Sequence, residues 1–79
     1  MLAAMTEQAM THRQIVDLWP SRAALERDLK ARGLDVREGQ ARLWAHRNRI
    51  PAGAFVPLVK AARARGFRGV TLDALHRGL

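Results

Sequence analysis

The chain has 79 residues, enough for one small domain near the lower size at which a single hydrophobic core suffices without covalent staples. It contains no cysteine, so neither a disulfide framework nor a thiolate metal site adds stability; helix packing or contacts between copies must supply it. Fourteen Lys and Arg against seven Asp and Glu give a formal net charge of +7, and twelve of the fourteen cations are arginine. The planar donor fork of arginine suits phosphate oxygens and guanine edges, so an acidic partner is expected, with nucleic acid the leading candidate. A GC-rich genome also raises Arg and Ala, but the sign of the net charge survives that discount.

No stretch reaches the roughly twenty apolar residues needed to span a membrane. The opening Met1-Leu2-Ala3-Ala4-Met5 is too short for a signal-peptide core and lacks a basic head. A cytoplasmic, nucleoid-associated protein is expected. Residues 1–10 read as a flexible N-terminal arm ahead of a domain over residues 11–79.

Thr11 is placed to cap a first helix whose apolar stripe is Ile15, Val16, Leu18 and Trp19, and Pro20 ends it. Ser21 caps a second helix with Ala24, Leu25 and Leu29 at helical spacing. Arg22, Glu26, Arg27, Asp28, Lys30 and Arg32 fall on its remaining faces, where local ion pairs are expected. Gly33 is its stop signal. A third helix is expected from Val36 to Arg47, opened by a capping box of Asp35 and Glu38, with only Gly33-Leu34-Asp35 as the turn before it. Val36, Gln40 or Ala41, Trp44 and Leu43 define its core face, which leaves Arg37, Arg42, His46 and Arg49 pointing outward. Gly39 inside this helix costs about 1 kcal/mol relative to alanine. It reads either as a tolerated defect or as room for a neighbouring helix or a DNA backbone. Two packed helices across a tight turn, the second with an arginine rim and one aromatic anchor, read as a helix-turn-helix suited to a major groove.

Pro51 opens a fourth helix, about Ala52 to Arg65, that buries Phe55, Leu58, Val59 and Ala62. Pro57 then requires either a distorted first turn or a helix that starts near Phe55. Gly66 terminates it. Gly66 to Leu72 holds the one hint of strand-like alternation, and Thr71 caps a last turn or two, Leu72 to His76, whose Leu72 and Leu75 close the core. The expected fold is all-α: a compact bundle of four to five short helices that contains the helix-turn-helix.

The segments IVDLWPSRAALERDL, LWAHRNRIPAGAFVPLVKAARARG and GVTLDAL, in that order, resemble the small Cro/CI-like helix-turn-helix regulators of bacteria and prophages, including YdaS-like and carph-isopro proteins. The resemblance covers about residues 11 to 76. Its most specific elements are Ser21-Arg22-Ala23-Ala24-Leu25, Trp44, and the exit Arg47-Asn48-Arg49-Ile50-Pro51. It implies a lambda-repressor-like fold, DNA binding through the second helix of the motif, and a role in transcription. On that pattern Arg37, Glu38, Gly39, Arg42, Leu43 and His46 face bases and Trp44 packs inward. Gln40, Arg47, Arg49 and Arg22 complete the expected DNA contacts. One departure stands out: Lys30-Ala31-Arg32-Gly33-Leu34 is extra length before Asp35. Either the second helix is a turn longer or the loop is enlarged, and both alter how the recognition helix meets DNA.

Catalysis is not expected. There is no Cys or Tyr, His12, His46 and His76 lack metal-site spacing, and Gly66 and Gly69 lack the lysine and helix of a phosphate loop. No cofactor, metal or small-molecule substrate is expected. A tryptophan among arginines can stack on a base, but beside Leu43 at helical spacing Trp44 reads as core. Arg63, Arg65 and Arg68 read either as a backbone clamp or as a solvated helix end. The expected partner is double-stranded DNA, bound as a homodimer or with a partner regulator, with helix-start N–H groups and arginines on phosphates. The alternative is a protein-interaction module whose apolar segment Val70 to Leu79 docks on another regulator or on RNA polymerase.

Overall fold

In the computed structural model, residues 10–77 are described. The expected arm therefore lies outside the described residues apart from Met10, as do Gly78 and Leu79. Five α-helices follow one another: α1 (His12–Val16), α2 (Arg22–Ala31), α3 (Gln40–Arg47), α4 (Phe55–Arg65) and α5 (Leu72–Arg77), with a 3₁₀ turn at Ala52–Ala54 leading into α4. The all-α expectation holds, and the alternation in Gly66 to Leu72 forms no strand among the described residues. No helix among them is long and apolar enough to cross a membrane.

Most start signals work as local chemistry dictates. The Thr11 hydroxyl accepts from the Gln14 N–H while the Gln14 side chain accepts from the Thr11 N–H, a complete capping box. Ser21 accepts from the Ala24 N–H and Thr71 from the Ala74 N–H. Pro57 is accommodated because α4 starts at Phe55, which puts the proline in the first turn, where its missing N–H would have no helical partner.

The core runs through Ile15, Val16, Trp19, Leu25, Leu29, Trp44, Ile50, Phe55, Leu58 and Leu75. Helix α3 packs on α1 and α2, and α4 packs on α2 and α5. Fully buried His12 links three segments: its Nδ1 accepts from the Ile50 N–H at 2.8 Å and its Nε2 donates to the Leu75 carbonyl at 2.7 Å, which requires the neutral Nε2–H tautomer. Its ring and that of His76 both lie edge-on to Phe55. Leu75 closes the core as expected, but Leu72 faces outward and is 44% exposed.

The third helix differs most from expectation. It begins at Gln40, and residues 32–39 form a turn more than twice as long as Gly33-Leu34-Asp35. Lys30 and Ala31 continue α2, and Arg32 to Gly39 form the loop before α3, pinned by buried Val36. Gly39 is the N-cap at φ +91°, a left-handed conformation that a helix interior forbids and glycine accepts at least cost. An added Cβ there would meet nothing within 4 Å, so this glycine serves conformation and not close approach. The Asp35–Glu38 capping box does not form.

Candidate nucleic-acid interface

Helix α3 has two turns, and its sides are sharply unlike. Ala41, Trp44 and Ala45 are buried, while Arg42, Leu43, His46 and Arg47 are exposed. Gly39, Arg42, Leu43 and His46 form a single stripe at helical spacing and line a shallow concavity of about 310 Å³. A second, of about 270 Å³, runs along the other flank between Gln40, Leu43, Trp44, Arg47, Arg49 and Pro51. Leu43 is the ridge between them. No ion pair joins Arg37, Arg42, Arg47 or Arg49 to a carboxylate among the described residues. Exposed guanidinium groups along such a ridge have donors left for an external anion.

The structure sorts the expected contacts. Arg42, Leu43, His46 and Arg47 are gathered on the exposed side of α3, with Arg49 just beyond its end. Arg37 and Glu38 are exposed but lie in the preceding turn, because the helix does not form until the chain has passed Gly39. Gln40 is partly committed: its Oε1 accepts from the Arg37 N–H at 2.8 Å. Arg22 is tied to Asp17 at 2.9 Å, so its guanidinium is shared with an internal carboxylate. Trp44 is buried at 7% exposure and packs inward.

The start of α3 is held by a residue that sequence reasoning placed on the surface. Glu26 is 6% exposed, and its Oε2 accepts from both the Gly39 and Ala41 N–H groups at 3.0 Å. Glycine has no side chain with which to cap a helix, and α2 provides the acceptor instead. A carboxylate also complements the positive end of the helix dipole. The Glu26 position one residue after Leu25 and three before Leu29 places it on their edge of α2, which is the signal that was available. The Gly39 and Ala41 N–H groups at the start of α3 are thus satisfied internally, and α1, α2 and α5 each carry one side-chain cap.

The far end of α3 is held by α1. Asn48 is the one non-glycine residue with positive φ among the described residues, at +52°. The Arg49 N–H reaches back to the Trp44 carbonyl at 2.9 Å, while Asn48 Oδ1 accepts from the Arg13 N–H at 2.8 Å. Arg13 Nε donates to the Ala45 carbonyl at 3.0 Å, which brings a cation to the negative end of the helix. Asparagine before a helix exit was a legible sign; nothing in the sequence marked Arg13.

Arg65 ion-pairs with Asp28, which also accepts from the Trp19 indole N–H at 2.8 Å, so its guanidinium is shared with an internal carboxylate. The Arg65 hydrogen bond, helped by Trp19, holds the Asp28 carboxyl below the usual aspartate range against the opposing effect of burial, and Asp28 in turn raises the Arg65 guanidinium. Arg63 and Arg68 remain exposed and without an ion-pair partner among the described residues. Among the same residues no group of three His, Cys, Asp or Glu side chains comes together as metal ligands. No family model matches the chain, and no curated protein or solved structure matches it.

Proposed function

We propose that this chain is a sequence-specific double-stranded DNA-binding regulator of the helix-turn-helix, lambda-repressor-like type, with α2 and α3 as the motif and α3 laid in the major groove. The observation that carries the reading is the exposed stripe of α3: Arg42, Leu43 and His46 beside Arg47, on a short helix anchored at both ends to the core. Its length of about 12 Å suits the entry of one helix end into a groove of about that width. Arg42 is assigned to a guanine edge, His46 to a base or phosphate, and Leu43 to a thymine methyl group. Arg37, Arg47 and Arg49 flank the stripe as phosphate contacts. One domain of this size offers few base contacts. Useful affinity therefore calls for two copies on a pseudo-palindromic site or a partner regulator.

Selection of bound duplexes from a random pool, followed by fluorescence anisotropy at two salt concentrations, tests this. The expected result is an enriched motif bound about a thousandfold more tightly than random duplex. Arg42→Ala should weaken binding to that motif by roughly 1 to 3 kcal/mol and relax preference at one position without changing the melting temperature. If no motif is enriched and all binding vanishes at physiological salt, only counterion release by a basic surface is left, and the reading fails.

A further inference from the structure

The large hydrophobic side chains exposed among the described residues are Leu43, Val56 and Leu72. Leu43 belongs to the α3 stripe. Val56, 50% exposed, and Leu72, 44% exposed, share a separate groove of about 330 Å³ between α4 and α5, completed by Val59, Lys60, Arg63 and Thr71. Val56, Lys60 and Arg63 recur along α4 at intervals of four and three, so an apolar and basic stripe runs the length of the helix. No carboxylate lines the groove, and neither cation has an ion-pair partner among the described residues. Asp73, next to Leu72, is bound to Arg77 at 3.0 Å.

We propose that this groove docks an acidic amphipathic helix of a different protein, whose apolar side chains cover Val56 and Leu72 while its carboxylates meet Lys60 and Arg63. A stripe along one helix edged by a second is the shape into which a third helix lays its side chains. No carboxylate among the described residues is placed to cover the groove, so the acid is assigned to another chain. Among the described carboxylates, Asp17, Asp28 and Asp73 are ion-paired and Glu26 is buried against α3, which leaves only Asp35 and Glu38, both in the turn before α3. A two-fold dimer through the groove would set Lys60 and Arg63 near their own counterparts. A DNA backbone would satisfy the two cations and leave Val56 and Leu72 against phosphate and sugar.

The test is selection from a displayed library of amphipathic helical peptides with randomised charged positions, using the full chain as bait, followed by anisotropy on the winning peptide. Winners rich in Glu and Asp beside Leu or Ile are expected. Leu72→Asn should weaken their binding about tenfold or more. Lys60→Glu with Arg63→Glu should abolish binding of the acidic peptide and create binding of its Lys-for-Glu counterpart, whereas Arg42→Glu should leave affinity within about twofold. The variants change exposed side chains, and retained melting temperatures certify folding. Absence of enrichment, basic winners, or equal losses in the Arg42 and Lys60/Arg63 variants would overturn the proposal. So would a dimer of the chain alone that Leu72→Asn dissolves, or random-duplex binding that depends on Lys60 and Arg63 with no peptide bound.

Discussion

The two ends of α3 are secured by opposite means. At its start, Gly39 offers no capping side chain and Glu26, buried on α2, supplies the acceptor for two backbone N–H groups. At its end, Asn48 stops the helix by its own left-handed backbone, and its side chain then reaches the first turn of α1. The start therefore depends on a neighbouring helix being in place, while the stop is encoded locally and then reinforced at long range. Core packing through Ala41, Trp44 and Ala45 seats α3 on α1 and α2, and Glu26 at one end and Asn48 with Arg13 at the other fix where the helix starts and stops on that seat.

Removing what lies beneath both ends should have the largest effect: Trp44→Ala is expected to cost roughly 3 to 5 kcal/mol in chemical denaturation, since it empties buried space at the centre of α3. An unchanged midpoint would mean that the indole is not a packing element. Glu26→Ala should come next, at roughly 1 to 3 kcal/mol, by leaving N–H donors unmet. Glu26→Gln, which keeps an acceptor oxygen, should recover part of that. Amide exchange would separate the two ends, with protection falling at residues 39–42 and persisting at 47–49. Uniform loss along α3 would erase the distinction.

The opposite end is probed by a pair of variants at one position. Asn48→Gly loses the bond to Arg13, about 1 kcal/mol, while relieving the strain of a Cβ at positive φ. Asn48→Ala loses the same bond but keeps a Cβ in that conformation, so it should be less stable than Asn48→Gly by about 1 kcal/mol or more. Equal thermal stability in the two would show that the backbone conformation contributes nothing.

The smallest effect concerns the other acid of α2. Because the folded Asp28 carboxyl is held below its ordinary range, its contribution is present at neutral pH and is lost as pH falls through that depressed value. Asp28→Asn should therefore lower the melting temperature at pH 7 by the equivalent of about 1 kcal/mol or less, because the pair is partly in water. The difference from wild type should close under acid conditions, and a gap that persists there would assign the effect to packing.

Glu26 and Asp28 also explain what sequence reading reached and missed. Both looked like surface partners on α2, because a pattern of apolar residues says which edge is buried but not whether a carboxylate on that edge has donors waiting. Asp28 finds Trp19 and Arg65, and Glu26 finds α3. The exposed stripe was legible from spacing for Arg42 and His46, whereas Leu43, expected on the core face, is 40% exposed because Ala41, Trp44 and Ala45 already fill that side of the helix. Arg37 and Glu38 were misplaced onto the helix because Asp35 and Glu38 mimic a capping box, while the true entry is glycine.

The amino-acid sequence by itself determined the helical class, the stops at Gly33 and Gly66, the caps at Thr11, Ser21 and Thr71, and the burial of Trp19, Trp44, Phe55 and Leu58. These follow from periodicity and from side chains that act within one turn of themselves. Only the tertiary structure decided where α3 begins, which arginines lack an ion-pair partner among the described residues, and that Val56 and Leu72 share one groove. Each of these depends on groups brought together from distant positions, and no local propensity records what a side chain will meet across the core.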